Sequence, residues 1–187
     1  MSILLIFLAF ILLTISFFEI EMSENINSLY FNFRISLIKS FIGISLISYI
    51  ICEILSFFNE LSFNYVLISW VLINLILIYI IKKKFSFHSI KINLFNIFSQ
   101  KINVNSADKI ILYILFFLII LPLFILCIYI PPNNWDSMAY HLPRIEHWLQ
   151  NKNIYPYPTN IVRQILSPPL SEYIIANFQI LSNSDSF

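Results

Sequence analysis

Ile110-Ile111-Leu112-Tyr113-Ile114-Leu115-Phe116-Phe117-Leu118-Ile119-Ile120-Leu121-Pro122-Leu123-Phe124-Ile125-Leu126-Cys127-Ile128-Tyr129-Ile130 runs without one charged side chain and then meets Pro131-Pro132-Asn133-Asn134-Trp135-Asp136. A helix needs roughly 20 predominantly apolar residues to cross about 30 Å of hydrocarbon, and this run supplies them. A water-soluble core helix would keep a polar stripe, which is missing here. Toward the amino terminus, residues 3–18, 40–58 and 61–81 satisfy the same requirement. With 59% hydrophobic residues, 11% charged residues and a single glycine, Gly43, the composition agrees. The expected fold is therefore all-α, a polytopic helical membrane protein with about four transmembrane helices. Residues 1–130 form the transmembrane region, with a loop over 82–109. Residues 131–187 form an external loop with short amphipathic helices and the start of a following helix.

Sidedness is expected from the basic residues, because short loops rich in lysine and arginine stay in the cytoplasm. Lys82, Lys83, Lys84, Lys91, Lys101 and Lys109 all fall between the third and fourth spans. That loop is predicted to be cytoplasmic, with Arg34 and Lys39 on its side. The Asn59-Glu60 turn, the amino terminus and everything after Pro131 are then predicted outside. The first span has no basic residue before it and no small-x-small cleavage site after it, so it is read as a retained helix.

Several function classes fall away. A net charge of +1 offers no nucleic-acid footprint. One glycine cannot build a P-loop or a dinucleotide fingerprint. Cys52 and Cys127 lie in predicted spans without metal-ligand spacing, and read as packing residues. Glu53 is close enough to the outer end of its span to reach the interface, and Pro122 should bend its helix. Asn74 is set aside as compositional bias. Residues 85–108, which include His88, suit either a helix on the inner membrane surface or a solvated connector.

The chemistry concentrates after Pro131. A projection of 135–149 at about 100° per residue puts Met138, Leu142, Ile145 and Leu149 on one side, and Asp136, Tyr140, Arg144 and His147 on the other. The apolar row would face lipid or the bundle, and the polar row an aqueous cavity. Trp135 and Trp148 would anchor at headgroup level. Pro143 suits the first turn of a new helix, which would split the row into two pieces. Asp136 has two readings: a helix cap, or a chemical group.

Asn134-Trp135-Asp136-Ser137-Met138-Ala139-Tyr140-His141-Leu142-Pro143-Arg144, followed by Tyr157-Pro158-Thr159, Arg163-Gln164 and Pro168-Pro169-Leu170-Ser171-Glu172-Tyr173, resembles the first external loop of bacterial membrane glycosyltransferases of the GT-C superfamily, of the family 39 kind. The resemblance covers roughly residues 131–187. It implies a sugar donor carried on a polyprenyl phosphate, an acceptor glycan or lipid, the bacterial inner membrane as location, and an acidic residue at the membrane surface, matched here by Asp136. An acceptor hydroxyl attacking an anomeric carbon needs a base for its proton, and Asp136 would be that base in an inverting displacement. A lipid phosphate leaves readily once its charge is stabilised, so a second carboxylate is not required.

Arg144 and Arg163 are the candidate cations for that phosphate, since guanidinium grips phosphate with a fork, and Lys152 is a weaker third. His141 and His147 are candidate hydrogen-bond donors, or can join Asp136 and Glu146 around a possible divalent cation. Tyr140 and Trp148 can stack on sugar faces, although interfacial anchoring is the simpler role. Enzymes of this kind carry many further helices after the loop. The expectation is an amino-terminal portion, or a chain needing helices from a partner. The alternative function is a non-catalytic membrane subunit or scaffold whose amphipathic loop binds lipid or a partner helix.

Overall fold

A computed structural model of the chain describes residues 2–24, 28–99, 105–129 and 134–183, which are helical with no strand among them. Four helices are long and apolar enough to cross a bilayer. Three of them are α1 (Leu4–Glu24), α2 (Leu29–Phe57) and α3 (Phe63–Lys84). The fourth is a continuous rod made of α5 (Ser106–Leu115), a π-helical turn (Phe116–Ile120) and α6 (Leu121–Tyr129). Between α3 and α5 lies α4 (Phe87–Ser99), a helix where the sequence allowed a helix or a connector.

The helix limits correct the predicted spans where charges find partners. The first span was expected to stop at residue 18, before Glu19 and Glu21. Instead α1 continues, because Asn93 Nδ2 of α4 donates to both Glu19 oxygens at 3.1 and 3.2 Å and Lys39 pairs with Glu21. Arg34 and Lys39, expected ahead of the second helix, lie inside α2. At about 1.5 Å per residue, 29 residues reach about 44 Å, so the lysine-bearing end outlasts the hydrocarbon.

Packing of α2 follows a four-residue stripe. Asn32, Ser36, Ser40, Ile44, Ser48, Cys52 and Ser56 are all buried on one face. Residues four apart stack on a helix, and small side chains let membrane helices approach closely. Gly43 marks a close approach of α1, since a Cβ there would meet Leu13 Cδ1 at 3.2 Å. Thr14 Oγ1 donates to Ser40 Oγ across this interface at 3.0 Å. Asn74, set aside on the sequence, is buried and donates to the Leu5 carbonyl of α1 at 3.0 Å. A carboxamide in a dry interface must satisfy its donors, and here it ties α3 to α1.

The segment from Asn134 onward docks on one end of this bundle. After a π-helical turn (Ser137–His141) come α7 (Leu142–Asn151), a short α8 (Arg163–Leu166) and α9 (Leu170–Ser182). Thirteen residues are too few to span, and α9 packs against α2, α3 and α7. Its fully buried Asn177 accepts the Trp70 indole N–H of α3 at 2.9 Å and donates to the Tyr173 carbonyl at 2.8 Å and to Cys52 Sγ at 3.2 Å. Glu53 accepts from the Tyr173 hydroxyl at 3.1 Å, which links α2 to α9.

The turn after α2 is sewn to the end of α7. Leu61 N–H donates to the Lys152 carbonyl at 3.0 Å, Asn153 Nδ2 to Asn59 Oδ1 at 2.8 Å, and Ile154 N–H to Ser56 Oγ at 2.8 Å. Ser2 donates to the Leu181 carbonyl, which brings the amino terminus to the same end. This end therefore gathers the three segments that the lysine count assigns to one side.

Candidate functional site

The site is built on the rod that carries Asp136 to Asn151. Pro143 does not split it. The preceding turn widens to a π turn in which Leu142 N–H reaches the Ser137 carbonyl five residues back. The same device precedes Pro122, where Leu121 N–H reaches the Phe116 carbonyl. A proline offers no N–H and crowds the carbonyl four residues back, and a widened turn accommodates both. Ala139 is that residue for Pro143, and its carbonyl accepts instead from Gln164 Nε2 at 2.7 Å.

The extra residue in the π turn also rotates everything beyond it, so a uniform 100° projection fails across residues 137–141. Of the expected wet row only Arg144 is buried, whereas Asp136 and His147 are exposed and Tyr140 is half-buried; of the expected apolar row Ile145 is buried but Met138 is exposed. Trp148, expected as an interfacial anchor, stacks on Tyr173 with ring centroids 5.4 Å apart.

Arg144 was expected to hold a lipid phosphate. It is 2% exposed, and four of its five N–H groups are already engaged. Nε donates to the Gln164 carbonyl at 2.6 Å, Nη1 to the Ser167 carbonyl at 3.0 Å and to Glu172 Oε1 at 2.9 Å, and Nη2 to the Arg163 carbonyl at 2.7 Å. Arg144 thus positions the loop rather than a ligand. Its counter-charge, Glu172, is fully buried and escaped the sequence reasoning. Glu172 Oε1 also lies 2.8 Å from His141 Nδ1, and Oε2 accepts from Ser171 Oγ at 2.7 Å. A carboxylate only accepts, so Nδ1 is the protonated nitrogen of His141, whose side chain stays 31% exposed. The available signal was a lone acid in an otherwise apolar helix, downstream of an arginine.

Gln164 is the second residue that sequence reasoning left without a role. Its Oε1 accepts from Tyr157 Oη at 3.1 Å and from Thr159 Oγ1 at 2.7 Å while its Nε2 holds Ala139. Burial lifts the Tyr157 phenol above its ordinary range, and the Arg144 charge partly offsets the effect. The Gln164→Leu variant should leave the Ala139 carbonyl, Tyr157 and Thr159 without this partner, at about 1–3 kcal/mol for the buried groups. Limited proteolysis checks it: cleavage between residues 156 and 168 should accelerate, and an unchanged rate would show that Gln164 does not hold the loop.

Asp136 and Arg163 remain outside this buried frame. Asp136 makes no capping bond; Asn134 Oδ1 accepts from Ser137 N–H at 2.7 Å and takes that role. Arg163 Nη1 stands 3.5 Å from Asp136 Oδ1, with side chains 67% and 57% exposed. These two candidates are brought together and face water.

No family model, curated protein or solved structure matches this chain. The site rests on its own geometry.

The other candidates disperse. Tyr140 lies against His141, ring centroids 4.1 Å apart, and His147 stacks on Tyr157 at 3.9 Å. Glu146 and Lys152 line a separate cavity with Leu61 and Gln179. The four residues considered for a divalent cation are therefore divided among different partners, and no group of three or more His, Cys, Asp or Glu side chains forms a metal-binding set among the described residues. His88 and Cys127 have side chains outside the described residues, as do Pro131 to Asn133.

Proposed function

We propose that the chain forms the amino-terminal part of an integral membrane glycosyltransferase that transfers a sugar from a polyprenyl-phosphate donor to an acceptor hydroxyl. The acceptor O–H attacks the anomeric carbon, the C–O bond to phosphate breaks, and its electron pair leaves with the phosphate. Asp136 takes the acceptor proton, and Arg163 faces the departing charge. The supporting observation is the Asp136–Arg163 pair: a carboxylate free of any capping duty, beside an exposed guanidinium, on a rod fixed by Arg144 and Glu172. An exposed pair of this kind adds little stability, about 0–1 kcal/mol, so its value to the protein lies elsewhere. The assay is transfer from radiolabelled lipid-linked sugars by the full-length or co-expressed assembly. Transfer dependent on Asp136 supports the reading, and its absence with every donor overturns it.

The proposed setting is the bacterial inner membrane, with residues 131–187 on the extracytoplasmic face. A cysteine at position 136, in a background lacking Cys52 and Cys127, should react with a membrane-impermeant maleimide in intact cells. Labelling only after lysis would put the loop in the cytoplasm and remove lipid-linked donors from its reach.

The second reading, a scaffold that binds a partner helix, is favoured by the fourth span. None of its apolar window, Ala107–Leu126, is buried. A scaffold would keep its partner and its abundance when Asp136 is exchanged, with no transfer activity to lose.

A further inference from the structure

A second pocket lies on the face of α7 opposite the buried frame. Glu146 follows Arg144 by two residues, about 200° around a helix, so the two side chains leave α7 in opposite directions. Glu146 and Lys152 line this cavity of about 440 Å³ together with Phe63, Leu149, Gln179 and Ile180. That volume falls within the range of about 300–1,000 Å³ for small-molecule sites.

Its charges are unspent. Among the described residues, neither the Glu146 carboxylate nor the Lys152 ammonium is in an ion pair, while Asp136, Arg144, Arg163 and Glu172 all are. The lining thus offers a carboxylate to a cation and an ammonium to an anion in one cavity. Phe63 is the first residue of α3, a helix long and apolar enough to cross a bilayer, so the cavity lies at the end of a candidate span.

We propose that this cavity binds a primary-ammonium phosphodiester, the chemistry of an aminophospholipid headgroup. The ammonium donates its N–H groups to the Glu146 carboxylate, and the phosphate pairs with Lys152. A quaternary ammonium keeps the charge but has no donor, and an anionic headgroup lacks the cation altogether. Selectivity therefore runs in that order.

Native mass spectrometry of the purified full chain in detergent, with dihexanoyl phosphatidylethanolamine, phosphatidylcholine and phosphatidylglycerol, tests this directly. The ethanolamine lipid should bind at least about tenfold tighter than the other two, where tenfold corresponds to about 1.4 kcal/mol. Glu146→Gln should erase the preference, and Lys152→Asn, which suits the left-handed backbone at φ 55, should weaken all three lipids. Equal retention of the three lipids by the unmodified protein overturns the proposal without recourse to any variant. Selectivity that survives both substitutions overturns it as well. Soluble glycerophosphoethanolamine binding as tightly as the lipid would replace the membrane source with a free zwitterion. Asp136→Asn should leave this binding unchanged, so the pocket and the transfer reading succeed or fail separately.

Discussion

Replacing Arg144 by methionine is expected to destabilise the docked loop between α7 and α9 by about 3–5 kcal/mol, the range found when one partner of a buried ion pair is removed. The substitution leaves Glu172 charged in a site with no exposure, still facing His141 but without its guanidinium. It also strips donors from the carbonyls of Arg163, Gln164 and Ser167, three supports of the segment between α7 and α9. Thermal melting in detergent should show the loss, accompanied by faster proteolysis of residues 155–170. Lysine at 144 should recover only part of it, since one ammonium cannot serve four acceptors set around a planar fork. Removing Glu172 as well should restore some of the loss, because the stranded charge disappears while the orphaned carbonyls remain. A melting temperature equal to that of the parent protein in the Arg144→Met variant would refute the frame on which the site stands.

The second large effect is on chemistry. Asp136→Asn keeps the shape of the side chain and removes its basicity, so sugar transfer by the complete assembly should fall by about 10²–10⁴-fold, the contribution typical of a general base. Stability should hardly move. The carboxylate is 57% exposed and its ion pair with Arg163 is long at 3.5 Å, which places it among surface pairs of about 0–1 kcal/mol. Arg163→Ala should also lower transfer, and lysine at 163 should recover part of it by retaining the charge. An Asp136→Asn protein that transfers at the parental rate ends the assignment of Asp136, and attention then turns to His141. Its Nδ1 is held by Glu172, so its other ring nitrogen is the half-exposed group nearest in character to a base.

The four spans were legible because bilayer crossing is a property of composition over a window, and apolar runs cannot hide. Their ends were less so. Glu19 and Glu21 looked like stop signals, yet partners on α2 and α4 let the helix continue through them. Asn74 looked like bias because only the arrival of α1 gives its amide something to bond. In the loop, the spaced groups around Tyr157, Gln164 and Glu172 were visible as elements, but not as one hydrogen-bonded frame. Arg144 was misplaced for a definite reason. A helical projection sees only neighbours along the chain, whereas Arg144 is buried because Glu172 and the carbonyls of Arg163, Gln164 and Ser167 converge on it from a distant segment.

By itself the sequence determined how many segments can enter a bilayer, where the chain turns from apolar to polar, and which ionisable groups lie beyond that turn, since each follows from side-chain transfer energies summed along the chain. Only the tertiary structure decided which of those groups are consumed in holding the loop and which are left facing water. Arg144 and Arg163 are the same chemical group, and what separates them is whether a buried carboxylate and three backbone carbonyls converge on it, a fact of packing between segments far apart in the chain.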